Sequence, residues 1–202
     1  MRRGKTLRAT LAGAACLLAV TGAHAGWQDA AAPFDANRLA KLDESKSKAL
    51  QEVESGASSK DRATIHSVLD AAVSPGGADG LVGSWRCRTI KLGGMTSALI
   101  YSWYACRISD RGSVLSFAKL TGSQRMSGTL YPDQSGGLVY LGASSVKGEP
   151  AHRYSGAGAA SGAKATPDDQ IGLLVATGRN SARLELPAPL QESTFDVIEL
   201  TR

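Results

Sequence analysis

Gly83-Ser84-Trp85-Arg86-Cys87-Arg88-Thr89-Ile90-Lys91 and Tyr104-Ala105-Cys106-Arg107-Ile108 are the stretches on which the fold turns. Both read as strands, and Gly93-Gly94 between them reads as a turn. That spacing suits a β-hairpin stapled by one disulfide between Cys87 and Cys106. With the cysteines opposite each other, Trp85 faces Ile108 and Thr89 faces Tyr104. These residues share a largely apolar face, which we assign to the interior. The other face carries Arg86 opposite Arg107 with Arg88 beside them, and Ile90 opposite Trp103. Like charges directly across strands repel, so this patch needs an anionic cover. The candidates are a docked acidic segment of the same chain or an anionic ligand or headgroup.

The segment before the hairpin says where such a crosslink belongs. Arg2, Arg3, Lys5 and Arg8 precede an apolar run from Leu11 to Val20, and Ala23-His24-Ala25 offers a small-x-small cleavage site. Residues 1–25 read as a secretory signal peptide cut after Ala25, which makes the mature protein periplasmic. Arg2-Arg3 lacks the context of a twin-arginine signal. Cys16 sits in a loose lipoprotein-like box, but more apolar sequence follows it. Removing the leader leaves two of the three cysteines, and two thiols in an oxidising compartment suit a structural bridge. No later stretch is long and apolar enough to span a bilayer.

The leader also distorts the charge. The chain carries a formal +5, four units of which are leader residues, so the mature chain is nearly neutral and its high pI does not argue for nucleic-acid binding. Between Gly26 and Val82 nine acidic residues face six basic ones; from Gly83 onward thirteen basic face nine acidic. The two halves can attract each other.

The acidic half, residues 26–80, reads as a helical arm of two helices. Asp35 is positioned to cap the first, over 36–53, with Leu39, Leu42, Ala49, Leu50 and Val53 on one stripe. Ser59 is positioned to cap the second, through Ala72, with Ile65, Val68, Leu69 and Ala72 facing inward. Neither persists alone in water at such a length, so each needs a surface to cover. Ser74-Pro75-Gly76-Gly77 marks the link.

Residues 81–202 read as an antiparallel β domain, with strands expected at 83–91, 98–108, 113–120, 123–131, 137–143, 170–176, 181–186 and 194–201. Asp110-Arg111-Gly112, Pro132-Asp133, Ser135-Gly136-Gly137, Gly178-Arg179-Asn180 and Pro187-Ala188-Pro189 separate them. The fold class is mainly β with an N-terminal helical pair, the strands forming a small up-and-down barrel or a strongly curled sheet. The low-complexity stretch 155–162 reads as a loop.

These residues carry two resemblances. Gly83-Ser84-Trp85 resembles the Gly-x-Trp opening of lipocalin-like barrels, in which a basic residue near the last strand packs on the tryptophan; Arg202 stands in that place. Such a match implies fold rather than ligand. Residues 85–93 and 104–108, with Leu120-Thr121-Gly122-Ser123-Gln124-Arg125, Ser127-Gly128-Thr129-Leu130-Tyr131-Pro132-Asp133 and Asp196-Val197-Ile198-Glu199-Leu200, are similar to an uncharacterised proteobacterial family of exported proteins, domain-of-unknown-function family 4893. That likeness implies an envelope location and brings no catalytic residues with it.

Catalytic patterns are thin. His66 and His152 share no metal-ligand spacing with each other or with the cysteines. There is no Gly-x-Ser-x-Gly elbow, and Asp168-Asp169 after Pro167 reads as turn chemistry. No residue pattern calls for a cofactor or a metal. Arg125 and Tyr131, on the mixed strand 123–131, either face solvent or turn into a cavity where arginine clamps an anion. With Trp85 and Tyr104 they are the candidate ligand-binding residues. Two readings stand: a barrel binding a small apolar or anionic molecule, or a non-catalytic envelope module with a filled core that meets a protein partner. An enzyme ranks third. A cavity of several hundred cubic ångströms would favour the first reading, and a packed interior the second.

Overall fold

The computed structural model describes Met1 and residues 26–75, 80–156 and 166–202. The expected leader from Arg2 to Ala25, Gly76-Gly77 of the link, and most of the low-complexity stretch lie outside the described residues.

Among the described residues nine antiparallel strands run in chain order: β1 (Gly83–Leu92), β2 (Ala98–Ile100), β3 (Tyr104–Asp110), β4 (Leu115–Lys119), β5 (Gln124–Pro132), β6 (Leu138–Val146), β7 (Asp169–Gly178), β8 (Ser181–Pro187) and β9 (Phe195–Thr201). From β3 to β9 each strand pairs with the next, β3 pairs with β1, and β9 returns to pair with β1 from Arg86 to Leu92. Eight strands therefore close into a barrel, with no free edge in the ring. The short β2 pairs with the far end of β1, beyond β3.

Alternation sorts each strand into an inward and an outward set. Trp85, Cys87, Cys106, Ile108, Phe117, Leu130, Tyr140, Leu174, Leu184, Ile198 and Leu200 meet in one buried interior cluster. Each large apolar side chain so buried contributes roughly 1.5–3 kcal/mol. The Phe117 and Tyr140 rings meet edge to face at 6.0 Å.

The stapled hairpin differs from the expected one in register. Trp85 lies opposite Cys106, and Cys87 opposite Tyr104. The disulfide joins Cys87 to Cys106 diagonally across 5.8 Å between Cα atoms. The slip of two residues preserves the inward face but separates the arginines: Arg86 lies opposite Ala105, and Arg107 opposite Ser84. A diagonal bridge within this Cα range is as accessible to a disulfide as a direct one, so cysteine spacing alone does not choose the register.

The expected strand 98–108 is also two strands. Ile90 pairs with Ile100, but Cys87 pairs with Tyr104. One extra residue is thus accommodated over Tyr101–Trp103, in the manner of a β-bulge. It reverses the faces: Ala98 and Ile100 pack outside with the helices, whereas Cys106 and Ile108 point into the barrel.

Among the described residues four helices rather than two wrap the outside: α1 (Trp27–Ala30), α2 (Pro33–Ala40), α3 (Leu42–Gly56) and α4 (Ser59–Leu69). The expected long first helix breaks at Lys41, whose φ/ψ of −100°/21° leaves the helical basin. The break lets α2 lie against β7 and β8 while α3 crosses β8, β9 and β1. Asp35 does not cap. It sits in the first turn of α2, fully buried, because its carboxylate turns to Arg38 instead. The cap of α4 is Ser58 rather than Ser59, its hydroxyl accepting from Asp61 N at 3.1 Å.

Ala49, Val53, Ile65, Val68 and Leu69 cover Ile90, Leu92, Phe195 and Val197 on the outer wall. Polar anchors fix the arm. Arg183 of β8 donates to the carbonyls of Val68 and Ala71, Lys46 pairs with Glu185 at 2.7 Å, and Glu52 accepts from Gly94 N at 2.7 Å. Specific pairs of both signs do the docking, not bulk attraction of an acidic arm to a basic barrel.

Candidate functional site

The two ends of the barrel differ because the inward residues change character along the strands. At one end Trp85 plugs the interior. Its indole donates to Leu81 O at 2.8 Å, and the Arg202 guanidinium lies over the ring at 4.0 Å. Arg202 also donates to the carbonyls of Gly80, Leu81 and Val82 at 2.9–3.0 Å. Gly83 leaves room for it, since a Cβ there would lie 3.1 Å from Arg202 Nη2. This end is sealed.

At the other end the inward positions turn polar. Thr89 and Lys91 of β1, Lys119 of β4, Gln124 of β5, Ser144 of β6, Gln170 of β7 and Asp196 of β9 converge on a cavity of about 270 Å³. Met126, Leu186 and Ile198 also line it, and the rim carries the exposed apolar side chains of Val146 and Leu190. Below this mouth the interior is packed with the apolar cluster that ends on Trp85.

The charges at the mouth are unevenly answered. Lys91 pairs with Glu192. Burial pulls its ammonium down, but the Glu192 hydrogen bond and the Asp196 charge outweigh burial and hold it above the ordinary value. Lys119 is only 6% exposed and has no carboxylate partner among the described residues. Its ammonium rests over the Tyr104 ring at 4.6 Å, and burial, with Lys91 nearby, pushes its pKa down. Burial raises the Asp196 carboxyl to about 6 against the opposing pull of the Ser193 hydrogen bond and of Lys91. Gln170 Oε1 and Tyr140 Oη are buried without a hydrogen-bond partner.

One rim constellation resembles a catalytic triad in composition but not in order. Ser144 Oγ donates to Asp168 Oδ1 at 3.0 Å, and His152 Nδ1 lies 3.0 Å from Asp168 Oδ2. A nucleophilic serine needs the imidazole between itself and the acid. Here the acid stands between, so His152 is not placed to take the serine proton. Among the described residues no cluster of three or more His, Cys, Asp or Glu has the form of a metal site.

The other buried polar cluster is fully spoken for. Asp35 accepts from Arg38 at 2.8 Å and from the Tyr154 hydroxyl at 2.7 Å. Arg38 also donates to Ala188 O and Asp169 O. Asp169 accepts from Ser155 and from Thr166 N. This network ties α2, β7 and two loops together beside the mouth.

The four residues named for ligand binding are not brought together. Trp85 closes the sealed end. Tyr104 lies under Lys119, and Arg125 lines the open mouth. Tyr131 points outward into a second hollow beside Ala30, Leu141 and Tyr154. Of the three patch arginines, Arg86 and Arg88 stack on Trp103 at 5.3 and 4.7 Å, and Arg88 pairs with Glu199 at 2.6 Å. Arg107 is exposed opposite Ser84 and Ala118. Lys91, Lys119, Gln170 and Asp196 carry the mouth, and local pattern did not reveal them. The available signal was the inward parity of polar residues at one end of each strand, which needs the register to be read.

No helix among the described residues is long and apolar enough to cross a membrane. No curated protein and no solved structure matches the chain. A family model matches residues 27–200, nearly all of the chain beyond the leader-like segment, and the chain belongs to that family, Domain of unknown function (DUF4893).

Proposed function

We propose that this is an exported periplasmic binding module whose open barrel end holds a small anionic molecule. The observation that carries the reading is Lys119, a buried cation without a carboxylate partner among the described residues, aimed into a cavity that draws polar side chains from six strands. A buried charge is costly unless it is paired, and an anionic ligand supplies the pair. At about 270 Å³ the cavity falls just below the roughly 300–1,000 Å³ of drug-sized sites, so the ligand is small. The packed interior beneath it leaves no room for a long apolar chain, which favours the anionic over the apolar choice.

The leader-like segment and the Cys87–Cys106 bridge support export, since such a bridge persists in oxidising compartments. The Gly83-Ser84-Trp85 opening with Arg202 on the indole supports a lipocalin-like relationship. A second reading, an envelope protein-interaction module, draws on the filled lower barrel and on the Arg86–Trp103–Arg88 stack at the outer surface. Native mass spectrometry of protein recovered from the periplasm tests the choice. A co-purifying small anion, lost in Lys119→Met, is expected. A discrete protein adduct with an empty wild-type barrel, and no response to added carboxylates, would overturn the binding reading.

A further inference from the structure

Lys119 shares the mouth with a second ammonium group. Lys91 lines the same cavity from β1, close enough that its charge helps push Lys119 toward the neutral form. Among the described residues, the unpartnered side-chain atoms with no accessible surface are Tyr140 Oη and Gln170 Oε1. Lys119 Nζ, which has no hydrogen bond either, therefore keeps some surface open to the cavity. The carboxylates around the lysines are differently engaged. Asp196 accepts from Ser193 Oγ at 2.6 Å, Asp168 is held by Ser144 and His152, and Glu149 stands exposed at the rim. Among the described residues only Glu192 pairs with a lysine of the mouth, and that lysine is Lys91.

That pair is lopsided. The Lys91 side chain is 13% exposed and the Glu192 side chain 47%. A half-exposed carboxylate holds its partner weakly, because water competes for it. The Glu192 main chain is fixed: Met95 N donates to its carbonyl at 2.9 Å, and that carbonyl lies so near Gly94 that a Cβ there would approach to 2.4 Å. The carboxylate can thus leave Lys91 by side-chain rotation into solvent. Its departure leaves two ammonium groups lining one cavity. A monoanion answers one of them. A dianion answers both, and the two attractions add, which lets it take the place of Glu192. A phosphate group carries nearly two charges at neutral pH and three acceptor oxygens, enough to accept from both lysines at once.

We infer that the mouth takes a dianionic phosphate group shared by Lys119 and Lys91, and that Glu192 is a built-in competitor which the ligand displaces from Lys91. The inference rests on the anion-binding reading above and deepens it. Calorimetric titration of the mature, disulfide-bonded protein with glycerol 3-phosphate, inorganic phosphate and acetate tests it, at about pH 7.5, where both phosphates are largely dianionic. The better phosphate is expected to bind at least about tenfold more tightly than acetate, since it gains a second charge contact. Lys91→Met is expected to cut phosphate affinity about tenfold and to leave acetate within about twofold. Glu192→Gln is expected to tighten phosphate about fivefold, whereas Glu149→Gln, which removes a rim charge that pairs with no lysine among the described residues, changes it by less than about twofold. Acetate as tight as both phosphates overturns the dianion and leaves the anion site standing. A Glu192→Gln protein that gains no more than Glu149→Gln overturns the displacement. Failure of all three probes to bind removes both the inference and the anion reading. The ratio of the two phosphate affinities tells an esterified source from a free one. Both glutamates are exposed, so these two variants decide the displacement even if Lys91→Met does not fold.

Discussion

Asp196 shows how far one position can depart from its ordinary chemistry. Its carboxyl is held up to about 6 by burial, against 3.8 for a free side chain. Between those values the folded chain binds more protons than the unfolded one, so the stability tied to this group is fully present below about pH 3.8 and is lost as pH rises through about 6. The loss is on the order of 3 kcal/mol. Asp196→Asn should remove this component, so the difference in unfolding free energy between variant and wild type should grow from pH 4 to pH 6.5 in chemical denaturation. Gly142 is a second such position. The Tyr140 ring folds back over it inside the barrel, and a Cβ there would collide with Tyr140 Oη and with the β5 backbone. Gly142→Ala is therefore expected to cost about 1–3 kcal/mol, while Tyr140→Phe, which discards an unpartnered hydroxyl, should be neutral or stabilising by equilibrium denaturation.

At the scale of elements, the helices are held by apolar cover and by a few buried polar ties. Asp35 in α2 is the centre of one tie, taking hydrogen bonds from Arg38 and Tyr154. Asp35→Ala leaves Arg38 buried without its counter-charge, a change that costs about 3–5 kcal/mol. Thermal unfolding should show it, and hydrogen exchange should show α2 and the facing residues of β7 losing protection before the rest of the barrel. The sequence pattern marked the apolar stripe of α3 and α4 correctly, because residues such as Ala49, Val53, Ile65 and Val68 recur at helical spacing. It missed the break at Lys41 and misread Asp35 as a cap. A capping aspartate and a buried ion-pairing one look alike until the partner, here Tyr154 and an arginine one turn on, is in place. The bulge at Tyr101–Trp103 was equally silent, since alternation continues plausibly through it.

For the whole molecule, the Cys87–Cys106 bridge closes a loop between residues 19 apart. On the chain-entropy account this is worth about 3 kcal/mol, or a fall of roughly 6–12 °C in melting temperature on reduction for a chain of this size. Calorimetry with and without reductant, with thiols alkylated only after reduction, measures it; coincident melts would remove the bridge as a stabiliser. The amino-acid sequence alone determined the number and placement of most strands, the inward face of the hairpin and the pairing of the cysteines. Those features come from period-two alternation, turn residues and short-range spacing, all of which are local. Ring closure between β1 and β9, the diagonal register, the wrapping of the helices and the mouth formed by Lys91, Lys119, Gln170 and Asp196 were decided only in three dimensions. They depend on which strand ends meet, and no single segment carries that information.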